Sequence, residues 1–325
     1  MEWFASIPKV ELHAHLNGSI RDSTLLELAK DLGEKGVIVF SDVEHVILKN
    51  DRSLTEVFKL FDLIHIITTD HATVKRITKE VIEDFASENV VYLELRTTPK
   101  RNDSKGMTKR SYMEAVMEGV RNVSTVDVVF PHNNVDAGSH IISVPVNDMC
   151  NGTARKKIYV RLLLSIDRRE STAAAMETVK LALEMRDLGV VGIDLSGNPV
   201  VGEWITFLPA LKFAREHGLD ITLHCGEVEI CLTSNITTAS VSSLDVHHFA
   251  DLYKAKHPLV LCTDDSGVFS TSLSKEYNLA AAAYGLGKRE MFELARNAIE
   301  FLFENDEVKQ DLRSIFDLAA KKLDL

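Results

Sequence analysis

The chain has 325 residues, 45% of them hydrophobic and 26% charged, an ordinary globular composition that excludes collagenous, coiled-coil and disordered chains. A formal net charge of −11 argues against a nucleic-acid-binding surface, but leaves room for a small anion held by a few local donors. No apolar stretch approaches the roughly 18–20 residues of a membrane span, and the start MEWFASIPKVELHAH lacks the basic and long apolar regions of a signal peptide. Cys150, Cys225, Cys231 and Cys262 form no paired framework and read as reduced thiols of a cytosolic protein. Without a secretory signal, the sequons at Asn17, Asn102, Asn122, Asn151 and Asn235 carry no weight.

In chain order, VELHAHL (10–16) reads as a first strand, followed by amphipathic helices over 54–67 and 73–88. VVYLELR (90–96) is a second strand and 108–123 a helix. Residues 124–155 mix Asn, Gly, Asp and Pro and read as a long surface loop, with His132 and His140 as solvated loop residues. IYVRLLLSID (158–167), a helix over 171–189 and VVGIDLSG (190–197) come next. Three more strand-like runs are DITLHCGE (220–227), EICLTSN (229–235) and LVLCTDD (259–265), and several helices fill 274–325. The runs are nearly continuous in apolar residues, as in strands covered on both faces. Alternation with helices predicts a parallel sheet, most simply a single-domain (β/α)8-type barrel over 1–325.

Polar groups stand at the carboxyl ends of six of the seven runs: His13 and His15 with Asn17, Arg96-Thr97-Thr98, Asp167, Ser196-Gly197, His224 to Glu227, and Thr263-Asp264-Asp265. That rim is where barrels build active sites. His13 and His15, two apart on a strand, face one way. With His224 and Asp264 they offer three imidazoles and one carboxylate, a donor set suited to one zinc with an open position for water. Glu227 reads as a metal ligand, a general acid or a solvated loop residue, with the rim position favouring the acid. Of Asp264 and Asp265, one would take the metal and the other hydrogen-bond a substrate or cap the following helix. His247 and His248 read as structural. A Walker A loop and the H-x-E…P-C-x-x-C deaminase signature are absent.

VELHAHLNGS, IDLSGNP, LHCGE, LTSN and CTDD together resemble the adenosine/AMP deaminase family of metal-dependent barrels. HLNGS, LELRTTPKR and LSIDRRE resemble its adenosine-deaminase-like branch acting on N6-methyl-AMP, the plant proteins above all. The resemblance implies a hydrolytic deaminase with one Zn2+ held by His13, His15, His224 and Asp264, releasing methylamine from N6-methyl-AMP to leave IMP. It implies that Glu227 protonates the purine N1, that Asp265 hydrogen-bonds N7, and that Gly197 meets the base through its backbone. It further implies that His15, Asn17, His65, Thr97, Thr98, Pro99, Lys100 and Asp167 line the nucleotide pocket, the 5′-phosphate lying near the donors after the second strand. A monomeric cytosolic enzyme acting on a small purine nucleotide is expected, with neither nucleic acid nor membrane as partner.

One departure is serious. The family pattern places a further strand ending in R-I-G-H after H-x-G-E, and no R-I-G-H occurs in this chain. The runs 220–227 and 229–235 are separated by Val228 alone, whereas parallel neighbours need a crossover of about a dozen residues. The barrel is therefore expected to lack one βα unit after strand five, with a junction at about 227–229, as a skipped exon or gene-model error would leave it. Asp264, beyond the junction, should be the ligand most displaced. Impaired turnover follows, and the rival readings are an inactive or unstable variant retaining partial zinc binding, an adenosine deaminase, or another amidohydrolase.

Overall fold

The computed structural model describes residues 1–131, 155–198, 200–224 and 228–325. His132, His140, Cys150, Cys225 and Glu227 therefore lie outside the described residues, as does most of the loop expected over 124–155.

Eight strands appear among the described residues: β1 (Lys9–His15), β2 (Val90–Thr97), β3 (Asp127–Val129), β4 (Lys157–Asp167), β5 (Val190–Ser196), β6 (Asp220–Leu223), β7 (Glu229–Ile230) and β8 (Val260–Leu261). Parallel ladders join them in the order β1-β2-β4-β5-β6, with β3 against the start of β4. β7 and β8 form a separate parallel pair, and an isolated parallel bridge between Ala14 and Asp264 attaches the β8 end to β1. This is an α/β, TIM-like barrel with one open seam: among the described residues no ladder joins β6 to β7.

The seam falls where the junction was expected, but the local structure differs from the sequence reading in two respects. The run 229–235 is a strand only over Glu229–Ile230, and Leu232–Thr237 is helical. Its β-like composition lacks a neighbouring strand on the β6 side, so no ladder holds the chain extended. The expected loop 124–155 also contains β3, paired with Lys157–Tyr159.

The helices follow their sequence signals closely. The span Leu54–Ile67 begins at a capping box between Ser53 and Glu56, His71–Ser87 is capped by Asp70, and Lys109–Arg121 and Thr172–Glu184 lie within the expected ranges. Helices at Asp22–Glu34, Ser41–Ile47 and Trp204–Glu216 were not foreseen. One apolar cluster, from Ile7 to Phe316, joins sheet and helices. The thiols of Cys231 and Cys262 are free and buried within it. No described helix is long and apolar enough to cross a membrane.

Candidate metal-dependent active site

Strand alternation builds the barrel's polar interior. On β1, Val10, Leu12 and Ala14 face the apolar layer, while Glu11, His13 and His15 face inward. Glu11 is buried and accepts bonds from the backbone N–H of His13 (2.8 Å) and from the N–H and hydroxyl of Thr263 (3.1 and 2.9 Å). It thereby fixes the rim of β1 against the strand carrying Asp264. Burial lifts its carboxyl to about 7, against those hydrogen bonds.

His13, His15, His224 and Asp264 converge. Their donor atoms all lie within 4.8 Å of one another. His224 Nε2 stands 3.1 Å from His13 Nε2 and 3.0 Å from His15 Nε2, and Asp264 Oδ1 is 3.6 and 3.4 Å from the same two nitrogens. Tetrahedral zinc with bonds near 2.1 Å spaces its donors by about 3.4 Å.

Asp264 is not displaced by the junction. Its backbone N–H donates to His13 O (2.8 Å), its carbonyl accepts from His15 N–H (2.9 Å), and its Oδ2 accepts from Ser234 Oγ (2.7 Å). It adopts φ +62°, a left-handed conformation sparsely used by non-glycine residues and concentrated at functional sites.

The outer nitrogens of two imidazoles are held by carboxylates. His13 Nδ1 lies 2.6 Å from Glu229 Oε2, and His224 Nδ1 lies 3.0 Å from Asp194 Oδ1. Such partners keep the proton on Nδ1 and turn the Nε2 lone pair inward, as metal-binding histidines require. Two inward lone pairs 3.1 Å apart repel unless a cation or proton sits between them.

Charge tells the same story. Burial opposes ionisation of Glu229, yet Arg96 and His13 hold it at about 2. Asp194 is likewise kept well below the usual carboxylate range, against burial, by His224 and Arg96, and Asp264 by His13 and His15. Three ionised carboxylates around the buried Arg96 guanidinium and a protonated His13 leave an excess of one negative charge, which a divalent cation that displaces the His13 proton balances. Burial, helped by the neighbouring imidazoles and opposed by Asp264, drives His15 down to about 3, so its lone pair is free. Burial and Arg96 also press on His13, but its bonds to Asp264 and Glu229 prevail and lift it to about 9. A metal entering there displaces a proton. The donor set fits zinc.

The remaining sequence candidates fall into groups. Asn17 Oδ1 accepts from Tyr112 (3.2 Å), whose hydroxyl also meets Thr97 Oγ1 (2.7 Å). Lys100 donates to Thr68 Oγ1, and burial lowers it to about 8. Thr98 and Pro99 sit between Thr97 and Lys100, Thr98 half-buried and Pro99 buried. Partial desolvation of its ring lowers His65, against its bond to Phe61 O, and the charges of Lys100, Arg169 and Asp167 also act on it. Asp167 is paired with Arg169 (2.5 Å). Gly197, at φ +98°, lies so close that an added Cβ would stand 3.1 Å from Asp167 Oδ1. Asp265 packs against Gly18, where an added Cβ would fall 1.6 Å from its Oδ1. Burial and the adjacent Asp264 charge push Asp265 well above the carboxylate range. His247 is structural as read: buried, 3.0 Å from Asn235 Oδ1, and accepting from Phe249 N–H.

Sequence reasoning missed Glu11, Asp194 and Glu229. The signal was present, since an acid inside a continuous apolar strand is costly unless partnered.

The sequence profile described as "Adenosine deaminase" matches residues 8–229 and 228–318, two stretches that meet at the junction. A curated relative from Arabidopsis thaliana, "N6-mAMP deaminase", is 65% identical, covering 98% of this chain and 99% of its own. That alignment runs over 358 positions against 325 residues here, so at least 33 of its positions have no counterpart in this chain. The human "N6-Methyl-AMP deaminase" is 34% identical over 96% of this chain and 93% of its own. A crystal structure of the arabidopsis protein ADAL complexed with IMP superposes with a TM-score of 0.88 at 63% identity, covering 99% of both chains. Profile, relatives and fold agree: the chain belongs to the adenosine deaminase family, whose members are deaminating hydrolases.

Proposed function

We propose that this chain, a single domain over 1–325, is a cytosolic, zinc-dependent hydrolase of the N6-methyl-AMP deaminase type. It would take N6-methyl-AMP and water to IMP and methylamine, with turnover impaired by the missing βα unit. The carrying observation is the convergence of three imidazoles and Asp264 with carboxylates behind His13 and His224. The substrate is supported by the relative that is 65% identical and by the IMP complex of its arabidopsis counterpart.

When bound, zinc would lower the pKa of a water toward about 7 and so supply hydroxide at neutral pH. The chain's own groups do the rest. His13, His15, His224 and Asp264 hold the ion, and Glu11 locks their strands in register. Glu227, outside the described residues, is assigned the proton given to purine N1. Asp265 retains its own proton and can therefore donate to the lone pair of N7. Gly197, whose lack of a Cβ lets the backbone approach, would meet the base. Asn17, His65, Thr97, Thr98, Pro99 and Asp167 would line the pocket. Lys100, cationic below its value of about 8, supplies charge for a 5′-phosphate. A monomer suffices for this arrangement.

Methylamine release from N6-methyl-AMP, measured beside N6-methyladenosine, tests the assignment. Equal rates on nucleotide and nucleoside would reject a phosphate subsite near Thr97–Lys100. A second reading, zinc binding without turnover, is favoured by the absent R-I-G-H and the open seam. Stoichiometric zinc and a cooperative melt without methylamine release would select it.

A further inference from the structure

Arg96 is fully buried, yet no step above uses it. From β2 its guanidinium crosses the barrel. Nη2 donates to Leu12 O on β1 and to Glu229 Oε2 on β7 (2.9 Å), whereas Nη1 lies 3.5 Å from Asp194 Oδ1 on β5 as an ion pair without a hydrogen bond, Asp194 accepting its own from Ser165 Oγ (2.9 Å). β5 carries the ladder to β6 on one side of the seam, and β7 stands on the other. Glu229, which it holds, stands behind His13, and Asp194, which it faces by charge alone, stands behind His224. Glu229 especially needs such a hold: it belongs to a two-residue strand paired on one side only.

We infer that Arg96 is the positioning residue of the metal centre, tying β1 and β2 to β7 beside the open seam and fixing Glu229, the carboxylate that aims His13, while its charge faces Asp194 behind His224. The inference rests on the zinc reading above and extends it. Charge and position predict opposite signs. Deleting a buried cation beside a dication site should, by charge alone, tighten zinc binding. Losing the partners that aim ligand imidazoles weakens metal affinity by about 10–100-fold.

The test is zinc affinity by competition with a chromogenic chelator, with a thermal melt of each protein, for the parent chain, Arg96→Met and Arg96→Lys. Positioning predicts about 10–100-fold weaker zinc binding in Arg96→Met. Arg96→Lys keeps the charge without the planar fork and should lie between. Unchanged or tighter binding in a cooperatively melting Arg96→Met overturns the inference. Where Arg96→Met does not fold, Arg96→Lys decides: weaker binding supports the tie and parental binding overturns it. A parent chain that holds no zinc sinks the metal reading and this inference together. Zinc in the parent and equally in the variants sinks the inference alone.

Discussion

The two halves of the barrel are built differently. On one side, β1, β2, β4 and β5 run 7 to 11 residues and are almost wholly buried. On the other, β6, β7 and β8 span four, two and two residues, and β6 is half-exposed. Both halves supply donors to the proposed zinc site: His13 and His15 from the first, His224 and Asp264 from the second. The site nevertheless closes, because each ligand of the weaker half is bonded to a strand of the stronger. His224 N–H donates to Leu195 O on β5, and Asp264 brackets Ala14 on β1. Placement of these four side chains thus depends on local anchoring to the long strands, whereas the proposed impairment of turnover depends on a strand expected on the short side.

The largest test of this contrast inserts, at 227–229, the βα unit with a strand ending in R-I-G-H that the family pattern places there. Restoring a base or water-orienting group is worth about 10²–10⁴ in rate. Methylamine release should rise by that factor while zinc content stays at one per chain. A restored chain no faster than the parent would place the defect elsewhere.

Removing a ligand from either half should matter equally. His15→Ala and Asp264→Ala should each lower bound zinc, measured by elemental analysis after dialysis, from one per chain to a small fraction. Retention of zinc by Asp264→Ala alone would mean that the short side contributes nothing.

The stability contrast is smaller. Leu163→Ala, in β4 and fully buried, should cost about 2–5 kcal/mol in urea unfolding. Ile221→Ala, in half-exposed β6, should cost less than about 1.5 kcal/mol, since little apolar area returns to water. Similar losses would show that the seam is better packed than its burial indicates.

Of comparable size is Gly18→Ala, whose methyl must displace Asp265. Overpacking costs about 1–3 kcal/mol, and turnover should fall with zinc content unchanged. A parental rate would separate Asp265 from substrate binding.

The long half was legible in sequence because hydrophobic continuity dominates there. The runs 10–16, 90–96, 158–167 and 190–197 match β1, β2, β4 and β5 closely. The His-X-His pair on β1 was legible because alternation fixes which way both rings face. The run 229–235 misled because strand character there requires a neighbour that is not found among the described residues, and the residues after Ile230 turn helical. Asp194 and Glu229 went unassigned because their roles depend on a guanidinium and two imidazoles from distant strands, which no local pattern links. The position of Asp264 depended on backbone bonds to β1 that sequence cannot display.

The φ of +62° at Asp264 makes this carboxylate a cocked spring. Holding such a backbone costs on the order of 1–3 kcal/mol and persists only where the surroundings enforce it, and here the enforcing links are two backbone hydrogen bonds to the first strand. Fraying of the amino-terminal stave would let the spring go and swing the oxygen off the rim. Ion capture at the proposed site and the bracket between Asp264 and the first strand are on this view one equilibrium, so a chelator should loosen the short side, whose strands are least paired, before the long one.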